Sequence, residues 1–227
     1  GYRNESDEIF LRRAGAEPMR ASERPGDFFG TAVAVDGRGR VWVVWSERAE
    51  LDWHLRARSY DGTSWSRTES LTGGRGSNLF HRLVADSRGN LHLVWQRFVR
   101  SGGGAAQGRA SDILYKSFGG DRWGPEHNLS DPKKDPRSND WSPAIVADRA
   151  GTVWVAWDSY STGSYNVALR PVRGGKPGEA IRVTDSPRYH AHSSLAVDDQ
   201  DRLWVAYDEA EENWGKDNAF LLDKGGA

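Results

Sequence analysis

The distribution of apolar residues along the chain repeats four times. Each repeat contains a nearly continuous apolar run instead of a strict alternation of apolar and polar positions, which predicts a strand buried on both faces. The four runs are VWVVW (41–45), LHLVW (91–95), VWVAW (153–157) and LWVAY (203–207).

A short apolar strand and a tight turn precede each run. The turns begin at aspartates that lie 50, 62 and 50 residues apart, at Asp36, Asp86, Asp148 and Asp198. Three residues after each aspartate the chain has, in turn, Gly39, Gly89, Gly151 and Asp201. These four residues occupy equivalent positions of the repeat, which we call a column. The column predicts a backbone with positive φ, which glycine adopts freely and aspartate tolerates better than most residues do.

Two further strands follow in each complete repeat, so that about 50 residues hold four strands. This organisation is typical of a β-propeller, in which four-stranded antiparallel blades pack face to face around an axis. The pattern therefore predicts an all-β propeller with about four blades in this chain, either as a closed ring or as an arc of a larger ring.

We expect a single propeller domain over residues 1–227. Residues 8–23 match the third and fourth strands of a blade, whereas the last repeat has two strands and a predicted third strand at 218–223. We favour an arc over a closed ring of four blades, because the strand at 218–223 would compete with the N-terminal strands for one place. The predicted units are 1–26 (half blade), 27–74, 75–133, 134–187 and 188–227 (partial blade).

The segment PAIVADRAGTVWVAW (143–157), with DGTSWS (61–66) and the strand ending SLT (70–72), resembles TolB-like and sialidase-like (neuraminidase-repeat) propellers. The Asp-box of sialidases, S-x-D-x-G-x-x-W, is not matched strictly, and no arginine triad can be placed. Repeats of this kind also resemble propeller modules of large exported bacterial hydrolases. The resemblance implies a bacterial protein that works in the periplasm or outside the cell.

Composition narrows the range of functions. The chain has 31 basic and 32 acidic residues, so its charge gives no electrostatic case for nucleic-acid binding, and we expect no nucleic-acid partner. No apolar segment of about 18 residues is present, so we expect no membrane span, and the polar first residues predict no signal peptide in this chain. The absence of Cys excludes disulfides and thiolate ligands.

Loops between blades are longer and more varied on one face of the predicted propeller, and functional residues concentrate on such faces. There the last two repeats bring carboxylates, imidazoles and aromatic rings together. The candidate catalytic residues are Asp140, Asp158 and Asp208. The candidate ligand-binding residues are Trp141, Tyr160, His190, His192, Glu209 and Trp214.

A metal site is the weaker interpretation of these residues. His190 and His192 are two positions apart, which puts both imidazoles on one side of an extended segment, and Asp140 is a third possible ligand. Without cysteine or a third fixed ligand the motif is incomplete, so we predict no cofactor and keep a divalent metal as the alternative.

Three functions fit the sequence. The first is a non-catalytic module that binds a glycan or a protein partner through the face of the last two repeats. The second is a carbohydrate-active enzyme, either a glycoside hydrolase or a polysaccharide lyase, because carboxylates and histidines can act as acids and bases. The third is an assembly role, in which the strands at the two ends pair between copies to form a homodimer or a ring.

Overall fold

The computed structural model describes residues 6–99, 110–130, 139–160 and 164–212. Within these ranges all regular secondary structure is β. The strands are β1 (Phe10–Leu11), β2 (Met19–Arg20), β3 (Phe28–Val35), β4 (Val41–Ala49), β5 (Asp52–Tyr60), β6 (Glu69–Ser70), β7 (Ser77–Ala85), β8 (Leu91–Val99), β9 (Ala110–Gly119), β10 (Arg122–Trp123), β11 (His127–Asn128), β12 (Asn139–Ala147), β13 (Thr152–Tyr160), β14 (Tyr165–Arg173), β15 (Lys176–Pro177), β16 (Ile181–Arg182), β17 (Arg188–Val197) and β18 (Leu203–Glu212).

The strands form successive antiparallel blades. We call β3–β6 blade 1, β7–β11 blade 2, β12–β16 blade 3 and the pair β17–β18 blade 4; β1 and β2 form a separate N-terminal hairpin. The first strands touch one another in order, β3 with β7, β7 with β12 and β12 with β17, as they do around a propeller axis. The predicted all-β propeller fold is confirmed, while the blade boundaries and the number of blades in a closed ring stay predictions.

The hydrophobic core is divided among the interfaces between blades. Strand β4 shows why its apolar run is continuous: Trp42 and Val44 pack towards blade 2, whereas Val43 and Trp45 pack under the N-terminal hairpin. A second cluster fills the interface between blades 2 and 3, and a third lies between blades 3 and 4. The second strands of blades 1, 2 and 3 are therefore buried on both faces, as their apolar runs predict, whereas the run in β18 of blade 4 is partly exposed.

Each turn aspartate holds its turn to the strand that follows. The carboxylate of Asp36 accepts hydrogen bonds from the backbone N–H groups of Arg38 and Arg40 (2.9 and 3.0 Å), from Arg40 Nε (2.7 Å) and from Trp42 Nε1 (2.9 Å). Asp148 and Asp198 bind the tryptophan six residues later in the same way. These aspartates have a structural role, because one carboxylate satisfies several donors of a tight turn.

The glycine column of the turns has the backbone that the sequence predicts. The φ angles are +77° at Gly39, +76° at Gly89, +84° at Gly151 and +63° at Asp201. Gly89 has an additional role, because a Cβ atom there would lie 2.2 Å from Gly37 Cα, whereas a Cβ atom at Gly39 would have no neighbour within 4 Å. The turns of blades 1 and 2 therefore meet backbone to backbone.

Substitution of these two glycines should separate backbone strain from steric overlap. Both Gly39→Ala and Gly89→Ala place a side chain at positive φ, which lowers the free energy of unfolding by about 1 kcal/mol. Gly89→Ala must also displace backbone atoms of the next turn, so we expect an additional loss of about 1–2 kcal/mol. Urea denaturation of the two variants measures the difference, and equal losses would contradict the close approach.

The first and the last blade of the described residues have exposed apolar side chains. On blade 1, Val33 and Val35 are 56% and 50% exposed. On blade 4, Trp204 is 57% exposed, whereas the equivalent Trp42 in blade 1 is 1% exposed. The predicted strand at 218–223 lies outside the described residues. No helix in the described part of the chain is long and apolar enough to cross a membrane.

Candidate functional site

A β-bulge interrupts the first strand of every blade at the same position. The pairing of each first strand with its second strand shifts there, and the residue at the bulge has a positive φ. These residues are Gly30 (+60°), Phe80 (+54°), Ser142 (+53°) and His192 (+57°). Bulges redirect side chains and are common beside functional sites. Three of the four blades keep a non-glycine residue in this strained conformation, which makes this face of the propeller the candidate site.

A polar residue on the second strand of blades 1, 2 and 3 is hydrogen-bonded to the bulged first strand of the following blade. Ser46 Oγ donates to the Asn78 carbonyl oxygen (2.8 Å). The Ser142 N–H donates to Gln96 Oε1 (3.4 Å), and the Ser193 N–H donates to Asp158 Oδ1 (3.5 Å). Asp158 thus occupies the place of an uncharged serine in blade 1 and an uncharged glutamine in blade 2. The residue at this position of the repeat connects one blade to the next, and only in blade 3 is that connecting residue a carboxylate.

Aromatic rings surround this point on the boundary of blades 3 and 4, which we call cleft 3/4 (Trp141, Asp158, Tyr165, Tyr189 and His192). Trp141 stacks on Tyr165 with ring centroids 5.2 Å apart and planes inclined by 28°. Tyr165 also contacts Tyr189 at 5.2 Å. Tyr160 extends the cluster, because its ring lies 5.1 Å from that of Tyr165.

Burial controls the electrostatics of cleft 3/4. Asp158 is 3% exposed, and this burial raises its pKa to about 6 although backbone N–H groups of His192 and Ser193 bind it. Burial, and then the nearby carboxylate of Asp158, raise the pKa of Tyr189 to about 12. The pKa of Tyr165 is raised as well, first by burial. The tyrosine hydroxyls therefore remain protonated donors near neutral pH.

The two histidines of the HAH segment have separate carboxylate partners. His190 is buried, and its Nε2 lies 3.0 Å from Glu209 Oε2. His192 is exposed, and its Nδ1 lies 2.9 Å from Asp208 Oδ2. The left-handed bulge at His192 breaks the two-residue period of the strand, so the simple strand geometry behind the metal interpretation does not hold here. Among the described residues no group of three His, Cys, Asp or Glu side chains could hold a metal ion.

The predicted carboxylates lie in different environments. Trp141 pairs with Asp158 and Asp140 pairs with Ser159, so Asp140 projects from the opposite face of blade 3. Asp140 is 1% exposed, whereas the side chain of Asp208 is 70% exposed. Trp214 lies outside the described residues. The structure thus brings Trp141, Tyr160, Asp158, His192 and Asp208 to cleft 3/4 and places Asp140 elsewhere.

Several aromatic residues of this face are not identified by the sequence pattern. Tyr165 and Tyr189 were not among the candidates, and neither were Phe29 and Phe80 on the boundary of blades 1 and 2. The bulge column was available as a signal, since aligned repeats place Gly30 opposite larger residues. A glycine in only one repeat did not identify the left-handed backbone of the other three.

No protein-family model and no curated protein matches the sequence. Solved structures do match. A protein of unknown function from Dyadobacter fermentans superposes with a TM-score of 0.55 at 9% identity, covering 88% of this chain and 65% of that one. The polysaccharide lyase Uly1 has a TM-score of 0.52 at 11% identity, covering 82% of this chain and 48% of that one. This chain therefore spans less than two thirds of either protein, and the likeness shows the fold alone.

Proposed function

We propose that the protein is a glycan-binding propeller module and that cleft 3/4 is its binding site. The observation that carries the proposal is the aromatic stack of Trp141 and Tyr165 beside the exposed His192–Asp208 pair. The shared fold with a solved polysaccharide lyase supports a glycan as the ligand. We further propose, from the resemblance to modules of exported hydrolases, that the protein works in the periplasm or outside the cell, which fractionation of the producing cells would test.

The chemistry of the cleft suits a sugar. Aromatic faces stack on the apolar faces of sugar rings, and few polar groups then fix the orientation of the ligand. Asp208 and Glu209 offer acceptors for hydroxyl groups, while His192 and the Tyr160 hydroxyl offer both donors and acceptors. Asp158 is buried behind the cleft, so it holds the His192 bulge in position instead of facing the ligand.

Removal of the stacking ring should weaken binding. For a polysaccharide that retards the wild-type protein, we expect Trp141→Ala and His192→Ala each to lower the affinity about tenfold. The reason is that aromatic contacts and hydrogen bonds dominate such sites. Affinity electrophoresis with arabinan, xylan, pectin and alginate makes the measurement. Lys176→Ala, on the exposed outer strand β15, is the matched control. Unchanged binding by both cleft variants would contradict the proposed site.

A carbohydrate-active enzyme, hydrolase or lyase, is the second candidate. It is favoured by one observation: a carboxylate of Asp208 at 2.9 Å orients the exposed His192 ring, as in a general-base pair. An enzyme of this kind would release reducing ends or unsaturated products from a polysaccharide. Loss of product formation in both His192→Gln and Asp208→Asn would establish it, and binding without any product would exclude it for the polymers tested.

Assembly between copies is the third candidate, supported by the exposed Val33, Val35 and Trp204 at the ends of the arc. If these surfaces pair in solution, native mass spectrometry should detect a species of twice 25.3 kDa. A strictly monomeric wild type at micromolar concentration would rule this candidate out. Trp204→Ser should reduce any dimer, because it removes the largest uncovered ring.

A further inference from the structure

The boundary between blades 1 and 2 contains a second cleft, which we call cleft 1/2 (Phe29, Trp53 and Phe80). It is equivalent to cleft 3/4 by the repeat. Phe29 occupies the column of Trp141, and Phe80 occupies the bulge column of His192. Trp53 matches Tyr165 in the repeat. Each of them pairs with the residue that lies three positions after the tryptophan at the end of the apolar run.

The rings of cleft 1/2 contact one another, and two of them are exposed. Phe29 lies 5.6 Å from Phe80 with planes at 84°, and 6.2 Å from Trp53 with planes at 68°. Phe80 also contacts Phe98 at 6.3 Å. Phe29 and Phe80 are each 41% exposed, although large apolar residues of this kind are usually buried.

The backbone at Phe80 holds its ring at the surface despite strain. Its φ is +54°, a region that large side chains rarely adopt. The equivalent positions have glycine in blade 1 and serine in blade 3, so the bulge itself does not require an aromatic residue. A bulky ring in a strained and exposed position is more typical of a binding surface than of packing.

The polar groups beside the rings already have partners. Ser46 Oγ donates to the Asn78 carbonyl oxygen, and Asn78 Nδ2 donates to the Trp53 carbonyl oxygen (2.9 Å). His81 Nε2 lies 3.1 Å from the Val44 carbonyl oxygen. Burial lowers the pKa of His81 to about 4, so this imidazole is neutral near pH 7. The cleft therefore has rings to offer a ligand but few free hydrogen-bonding groups from these residues.

We infer that cleft 1/2 is a second binding site, for a ligand that presents an aryl ring. The repeat has produced two clefts of the same architecture: one has Trp, Tyr and His rings in front of a buried Asp, and the other has Phe, Trp and Phe rings in front of a buried Ser. Cleft 3/4 can bind hydroxyl groups, whereas cleft 1/2 can bind only what stacks on aromatic rings. Cleft 1/2 shares no residue with cleft 3/4, so binding there does not depend on the proposed glycan site.

Titration with benzyl alcohol tests this inference directly. The probe has one aromatic ring, and for a ligand of this size we expect a dissociation constant on the order of millimolar. Two-dimensional amide NMR of the wild type should show saturable shifts at Phe29, Gly30 and Phe80. The absence of saturable shifts at these amides would overturn the inference.

Two variants taken from the repeat itself make the test specific. Phe80→Ser copies the serine of blade 3, and Phe29→Ala copies Ala191 of blade 4, so each introduces a residue that the fold already accepts in that column. We expect each variant to raise the dissociation constant roughly tenfold, with a thermal melt to confirm folding. Wild-type affinity in both folded variants would overturn the inference.

Trp141→Ala is the matched control in cleft 3/4. It should bind benzyl alcohol as the wild type does, even though it weakens polysaccharide binding. The two proposals can therefore fail separately: lost polysaccharide binding with retained probe binding supports both sites. Probe binding that disappears in Trp141→Ala but persists in Phe80→Ser would place the aromatic ligand in cleft 3/4 and overturn the inference.

Discussion

Asp158→Asn is expected to make the protein more stable at neutral pH. The side chain is 3% exposed, and its burial raises the pKa to about 6 from an ordinary 3.8. The charged form that exists above pH 6 therefore lowers the free energy of unfolding by about 3 kcal/mol. An asparagine keeps the oxygen that accepts the Ser193 N–H and carries no charge, so we expect a gain of about 2–3 kcal/mol at pH 7.5.

The direction of the pH dependence follows from the raised pKa. Between pH 4 and 6 the folded protein holds the Asp158 proton more tightly than the unfolded chain does. Its contribution to stability is complete below pH 4 and is lost as the pH rises through 6. The difference between Asp158→Asn and wild type should therefore be small at pH 4 and largest above pH 6.5.

Chemical denaturation at several pH values measures this difference. Asp208→Asn is the matched control, since Asp208 occupies the same column in blade 4 but its side chain is 70% exposed. The control should show no comparable gain. A loss of stability in Asp158→Asn at pH 7.5 would show that the charged carboxylate is stabilising and that its pKa is not raised.

A buried carboxylate that destabilises the fold calls for a functional reason. Ser46 and Gln96 link blades at the same position without a charge. The carboxylate of Asp158 differs from them by placing a negative charge next to His192, the residue at the mouth of cleft 3/4. This contrast supports the proposed site, because perturbed carboxylates are concentrated at functional sites.

Asp36→Ala should cause the largest loss of stability, about 3–5 kcal/mol. Its carboxylate is the common acceptor for two backbone N–H groups, for Arg40 and for the buried indole of Trp42. Truncation leaves these donors unpaired at the interface between blades 1 and 2, and unpaired buried partners of a charge are costly. Urea denaturation at pH 7 gives the free energy of unfolding directly.

Asp198→Ala is the matched control for this prediction. Asp198 accepts the same kinds of hydrogen bond from Gln200, Arg202 and Trp204, but Trp204 is 57% exposed. Water can replace the lost acceptor there, so we expect a clearly smaller effect. Equal losses at both positions would mean that burial of the indole does not determine the cost.

Low pH should reproduce part of the loss of stability that Asp36→Ala causes. Burial acts to raise the pKa of Asp36, but the hydrogen bonds from Trp42 and Arg40 outweigh it and lower the pKa below 3.8. A lowered pKa means that the stabilisation is present above pH 4 and is lost as the pH falls through the pKa of the folded state. Asp36→Ala should therefore lose less stability than the wild type when the pH falls below 4.

The sequence determined the architecture because the features that specify a blade act over short distances within each repeat. Apolar runs such as 41–45 are buried on both faces in any blade that has two neighbours, whatever the details of those neighbours. The turn geometry is equally local: Gly39, Gly89, Gly151 and Asp201 all have positive φ at the same position of the repeat. Periodicity and turn chemistry act over a few residues, so one sequence reveals them.

The site depended on tertiary structure. That Asp158 is buried and Asp208 exposed is decided by the presence or absence of a packed neighbouring blade, although both occupy one column of the repeat. The left-handed bulges at Phe80 and His192 reverse the expected direction of the side chains, and a pattern of period two cannot predict that reversal. Which residues face a ligand is set by contacts between blades, because burial and strain arise only where distant parts of the chain meet.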